Sequence, residues 1–207
     1  MSLLQEPNSK LKKAKEKGYL IQSFNLPAGD TCPGAGDCKA FCYAKTGFYR
    51  MPTVANKYKE NWIATQTLVT FVEQMTLDLQ ALIARAKKRA LIPVIRLHTA
   101  GDFYSPAYFK AWLALMAAFP GIKFYAYTKS PFVRTLVKSG KVVVPTNFVL
   151  IYSMGSVADS RINQVKDRHA KIFDTAEALI AAGYDDASND DTVAFLSLSG
   201  KIGLVIH

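Results

Sequence analysis

The sequence predicts an α/β fold, a mostly parallel sheet curled into a partial (β/α) barrel. Three observations predict it. Strands and helices alternate along the chain, the order that builds parallel sheets through right-handed crossovers. Residues 91–98 form a nearly continuous apolar run, as a strand covered on both faces requires. Half of the 207 residues are hydrophobic, enough to fill a substantial core, with no repeat or linker to divide residues 1–207 into more than one domain. An open doubly wound sheet is the second choice.

The elements follow in order. Residues 19–26 alternate as a strand does, and Pro27-Ala28-Gly29 ends it. A loop over residues 30–51 carries all three cysteines together with Gly34, Gly36 and Gly47. Two helices come next. In the second, Phe71, Met75, Leu79, Leu82, Ile83 and Ala86 recur at three- and four-residue intervals, and its basic last turn complements the helix dipole. The strand 91–98 ends at His98-Thr99-Ala100-Gly101-Asp102. Ser105-Pro106 supplies an N-cap and a proline at N1 for a helix to about Phe119. Gly121 breaks that helix, and residues 123–128 make the next strand. A short helix after Ser130-Pro131 leads to a strand at 148–153. Residues 160–182 read as helical in part, ending at Gly183. Residues 192–199 and 202–206 read as a final hairpin around Ser199-Gly200-Lys201.

The chain carries 26 basic and 16 acidic residues, a formal net charge of +10. Such a field attracts nucleic acid or a phosphorylated substrate. The charge gathers at Lys10, Lys12, Lys13, Lys15 and Lys17, and again at Arg85, Lys87, Lys88 and Arg89. Acidic residues gather at Asp185, Asp186, Asp190 and Asp191, which implies a polarised field; solvated surface explains both basic runs equally well. No apolar run is long enough to span a membrane, and the polar, lysine-rich start lacks the apolar segment of a secretory signal. A cytoplasmic setting is expected, where cysteines serve metals or catalysis more often than disulfides.

Cys32, Cys38 and Cys42 stand in a C-x5-C-x3-C spacing within a glycine-rich loop, and the chain uses no cysteine elsewhere. Structural thiols would be scattered over apolar faces; this grouping points to metal. Three thiolates on one loop with a fourth position open suit a [4Fe–4S] cluster. A Cys3His zinc site, with His98, His169 or His207 as fourth ligand, is the alternative.

Phe24-Asn-Leu-Pro-Ala-Gly-Asp-Thr-Cys-Pro-Gly-Ala-Gly-Asp-Cys38, Cys42-Tyr-Ala44, His98-Thr-Ala-Gly-Asp-Phe103, Tyr127-Thr-Lys-Ser130 and Ile202-Gly-Leu-Val-Ile-His207 resemble the bacteriophage gene product 88 family. That resemblance implies a phage origin and action in the bacterial host cytoplasm. The cysteine loop also resembles that of radical S-adenosylmethionine (SAM) enzymes, where a three-cysteine loop follows the first strand of a partial barrel. The gaps here are longer than the usual C-x3-C-x2-C, and no Gly-Gly-Glu run is present. The second resemblance implies SAM at the open iron, Phe41 as the aromatic residue before the last cysteine, and Gly101-Asp102 at the SAM amino group.

The remaining candidates sit at strand ends, where α/β folds place their chemistry. Asp102 follows a glycine and can bind an amine or accept a proton; as a turn residue it would cap the Ser105 helix. His98 can serve catalysis or the cluster, or be a hydrogen-bonded core residue. Lys129 can meet a carboxylate or phosphate. Ser153, with Gly155 and Ser156, forms a turn that lets a ligand approach the backbone. Two functions follow: a SAM-dependent enzyme, or a cluster-stabilised nucleic-acid-binding protein without catalysis.

Overall fold

The computed structural model describes residues 2–40 and 42–206. Seven strands are present among the described residues: β1 (Tyr19–Phe24), β2 (Ile92–Leu97), β3 (Lys123–Thr128), β4 (Phe148–Ser153), β5 (His169–Phe173), β6 (Asp185–Asp186) and β7 (Lys201–Val205). They form one sheet in the order β1-β2-β3-β4-β5-β7-β6, every pair parallel. The sheet curls into a half-barrel, as the alternation of elements predicts.

The helices are α1 (Ser9–Lys12), α2 (Pro52–Thr65), α3 (Leu68–Lys88), α4 (Pro106–Ala118), α5 (Pro131–Lys138), α6 (Ala176–Ala181) and α7 (Val193–Leu196). α4 begins where the sequence places it: Ser105 Oγ accepts from the Tyr108 amide at 3.2 Å, and Pro106 fills N1. In α3, Phe71, Met75, Leu79, Leu82 and Ala86 are buried, while Ile83 at the edge of the stripe is 37% exposed.

Alternation along the strands divides the core into two layers. Phe24, Leu97, Phe124 and Ala126 pack with α3 and α4 on one face, around Phe71, Met75 and Trp112. Ile21, Val94, Tyr125, Ile151 and Ile202 face the other way, against Leu11, Ala14, Ala194 and Phe195. β2 is therefore covered on both sides, which explains its apolar run.

Three expectations are corrected. The segment 160–182 contains a strand, β5, before the short helix α6. Residues 193–196 turn as a helix, and β7 lies parallel between β5 and β6, so no hairpin forms. Both depend on pairing partners far along the chain, which local pattern does not report. The acidic cluster does not stand apart from the basic run, either. Asp191 is 1% exposed and pairs with Lys10 at 2.9 Å and Arg96 at 2.5 Å, and Asp190 pairs with Lys17. Burial of a carboxylate demands such partners, so part of the field is neutralised internally. No helix among the described residues is long and apolar enough to cross a membrane.

Candidate functional site

The carboxyl ends of β1 to β4, together with residues of β5 and β7, surround a cleft of about 140 Å³ that is open to solvent. Cys32, Cys38, Cys42, His98, Gly101, Asp102, Lys129 and Ser153 all line it. The sequence places these residues in four separate loops; parallel pairing of four consecutive strands brings the loops to one end of the sheet. Phe41 and the alternative ligand His207 lie outside the described residues.

Close backbone approach holds the cysteine loop in place. Ala35 bridges Ser156 antiparallel, with the Gly36 amide donating to the Gly155 carbonyl at 3.2 Å and the Val157 amide to the Gly34 carbonyl at 3.2 Å. A Cβ at Gly34 would lie 1.7 Å from the Lys129 carbonyl oxygen. Gly101, with φ +82°, sits against Leu26 and Thr31, where a Cβ would come within 2.6 Å of either side chain. Tyr43 Oη donates to the Thr99 carbonyl at 2.5 Å and ties the far end of the loop to the β2 end.

All three thiols are free and partly exposed. Burial pushes the Cys32 thiol up to about 11, against a backbone hydrogen bond at Gly29 and with the Asp102 charge acting in the same direction as burial. Among the described residues no three His, Cys, Asp or Glu side chains converge on one metal ion. Of the alternative zinc ligands, His98 lines the cleft and His207 lies outside the described residues. His169 is fully buried and engages both ring nitrogens, with the Asp167 carbonyl at 2.9 Å and Tyr184 Oη at 2.8 Å. A cluster makes a different demand, because each thiolate meets a separate iron and the sulfurs stay apart. All three thiols line one glycine-framed cleft, the donor set that such a cluster would use.

The other predicted residues differ in how free they are. Asp102 is 5% exposed; its Oδ1 accepts from the Phe103 amide and Thr128 Oγ1, both at 2.7 Å, and its Oδ2 from the Lys129 amide at 2.7 Å. The carboxylate thus clamps the β2 end to the β3 end, leaving one acceptor position on Oδ2. Burial nevertheless outweighs these donors and raises it to about 6. His98 takes a left-handed backbone, φ +60°, and its Nε2 pairs with Tyr108 Oη at 2.9 Å. Burial lowers it to about 3, so the ring is neutral, and Nδ1 has no partner among the described residues. Lys129 Nζ donates to Ser153 Oγ at 2.6 Å, joining two of the predicted residues directly.

Sequence reading missed Arg96 and Tyr127, both on the floor of the cleft. Arg96 donates to Asp191 at 2.5 Å and stands 5.6 Å over the Tyr127 ring. The signal was present: an arginine inside an apolar strand must find a buried partner. Its acid, Asp191, lies 95 residues on, and only the fold brings the two together.

Comparison with known proteins places the chain. It is 29% identical over 118 residues to the gene 88 protein of Mycobacterium phage D29, and 28% identical over 118 residues to that of Mycobacterium phage L5. Each alignment covers 53% of this chain and 48% of the relative, so the chain spans about half the length of the curated relatives it matches. Nothing in these matches points to radical SAM enzymes, and no solved structure matches. The family model for gene product 88 matches residues 1–202, nearly the whole sequence, and the chain belongs to that family.

Proposed function

We propose that this protein binds one [4Fe–4S] cluster through Cys32, Cys38 and Cys42 and acts in the cytoplasm of the infected host. One observation carries the reading: every cysteine of the chain lines a single cleft at the carboxyl ends of the parallel strands. When bound, the cluster supplies one-electron chemistry and an iron position left open for a small ligand. SAM is our first candidate for that ligand, supported by the half-barrel and by a cysteine loop following the first strand. The chain's own residues position the loop and the ligand: Gly34 and Gly36 seat the loop on the β3 and β4 ends, and Asp102 clamps the β2 end to the β3 end. The free acceptor position on Asp102 Oδ2 suits a ligand's ammonium group.

The test is iron and sulfide analysis of protein purified without oxygen, together with Cys32→Ser, Cys38→Ser and Cys42→Ser variants. The wild type should be brown, and each variant should lose most of its iron because thiolate is the ligand. Full loading in all three variants would sink the proposal. A spectral change on adding SAM supports the enzyme reading. The alternative, a cluster-stabilised nucleic-acid binder, draws on the exposed Lys12, Lys13, Lys15, Lys87, Lys88 and Arg89. It predicts salt-dependent DNA or RNA retention with no response to SAM.

A further inference from the structure

Arg96 and Tyr127 form the floor of the cysteine cleft, yet neither is needed for the cluster. Arg96 is 8% exposed, and Asp191 occupies only its Nη1. Among the described residues its buried Nε has no hydrogen-bond partner, and neither does the buried hydroxyl of Tyr127. Leaving a buried donor unmade is costly, so two orphans in side chains that line one cleft call for a ligand that reaches and satisfies them. The Nε edge of a guanidinium offers parallel donors in the fork geometry that matches an oxyanion.

The charge around the floor agrees. Arg96, Lys129 and Lys171 line the cleft, and among the described residues Asp102 is the only carboxylate that does. Behind the floor, Asp191 is shared between Arg96, Lys10 and Tyr125 Oη, so its one negative charge answers two cations. Lys129 already leans over the cleft toward Ser153. Among the side chains that line the cleft, cations outnumber carboxylates.

We propose that this floor is an oxyanion subsite: the small molecule that enters the cleft carries a carboxylate or phosphate group, which Arg96 Nε, Tyr127 Oη and Lys129 Nζ bind. This goes beyond the cluster reading and stands without it, because no thiol takes part. The acidic group would anchor one end of the ligand while its other end faces the cysteines.

The experiment is an NMR titration of the ¹⁵N-labelled full chain, following the arginine Nε–H signals, with inorganic phosphate and with succinate at low ionic strength. One probe should shift a single arginine signal saturably, with the preferred probe telling a phosphorylated ligand from a carboxylate ligand. Tyr127→Phe removes only the unpartnered hydroxyl and should weaken binding about fivefold, the loss of one neutral hydrogen bond. Arg96→Lys keeps a cation for Asp191 but loses the fork, and should weaken binding roughly tenfold or more. Lys129→Met reports the third donor should either variant fold poorly. Absence of a saturable shift with both probes would overturn the subsite, as would affinities unchanged in all three variants. The Cys32→Ser variant should bind the probe like the wild type, so loss of iron there bears on the cluster alone.

Discussion

His98 and Asp102 are buried within five residues of one another, and burial drives both toward their neutral forms from opposite sides. His98 falls from 6.5 to about 3, and Asp102 rises from 3.8 to about 6. Their effects on stability therefore oppose. The depressed histidine contributes stability that is present above pH 6.5 and lost as pH falls toward 3. The raised aspartate contributes stability that is present below pH 3.8 and lost as pH rises through 6. In the window between 3.8 and 6 the two slopes, each at most about 1.4 kcal/mol per pH unit, offset one another. Urea unfolding of chelator-treated protein should show little net slope from this pair there. His98→Asn tolerates the left-handed backbone and removes the titration, so that variant should gain stability on acidification across the same window. A variant with the wild-type profile would show that His98 is not held neutral. The sequence offered both residues as candidates, but their coupling to Tyr108, Thr128 and the Lys129 amide is a matter of contacts it does not display.

At the scale of elements, the cysteine loop owes its place to glycine. Sequence reading assigned the glycines to wrapping a cluster; the structure shows a second use, close backbone contact with the loops after β3 and β4. Gly34 has no room for a methyl group against the Lys129 carbonyl, whereas Gly121 has open space and an ordinary backbone. Gly34→Ala should therefore undock the loop, raise its protease sensitivity and lower metal content with all three thiols intact. Gly121→Ala should change stability by no more than about 0.5 kcal/mol. Equal proteolysis of the two variants would remove the docking argument. The loop was legible as one unit because its cysteines are adjacent in sequence. Its seat was not, because Lys129, Gly155 and Ser156 lie on distant segments.

The whole molecule closes through its last strand. β7 pairs with β5 over five residues and with β6 over two, so the C-terminal segment fastens two earlier strands into the sheet. Gly203 lies beneath Leu179 of α6, where a Cβ would come within 2.3 Å of the side chain. Gly203→Val should force α6 off the sheet and cost about 1–3 kcal/mol in urea unfolding, the usual range for overpacking. A cost near zero would mean that α6 is loosely held. The strands β1 to β4 were readable because each is an apolar or alternating run bounded by turn residues. β5 and β7 were misread because their strand character comes from each other, across a separation of 32 positions in the register His169↔Lys201.

The sequence by itself determined the α/β class, the four consecutive parallel strands, the capped helices and the loop that gathers the cysteines. Each of these rests on short-range physics: periodicity, capping, turn chemistry and spacing. The tertiary structure decided what that loop faces. Curling the sheet brought Arg96, Tyr127, Lys129 and Ser153 beneath the thiols, and it placed Asp191 behind Arg96 to satisfy a charge that the strand alone could not bury. Long-range ion pairing and backbone-to-backbone contact leave no local pattern, so the floor of the cleft becomes visible only when the chain is folded.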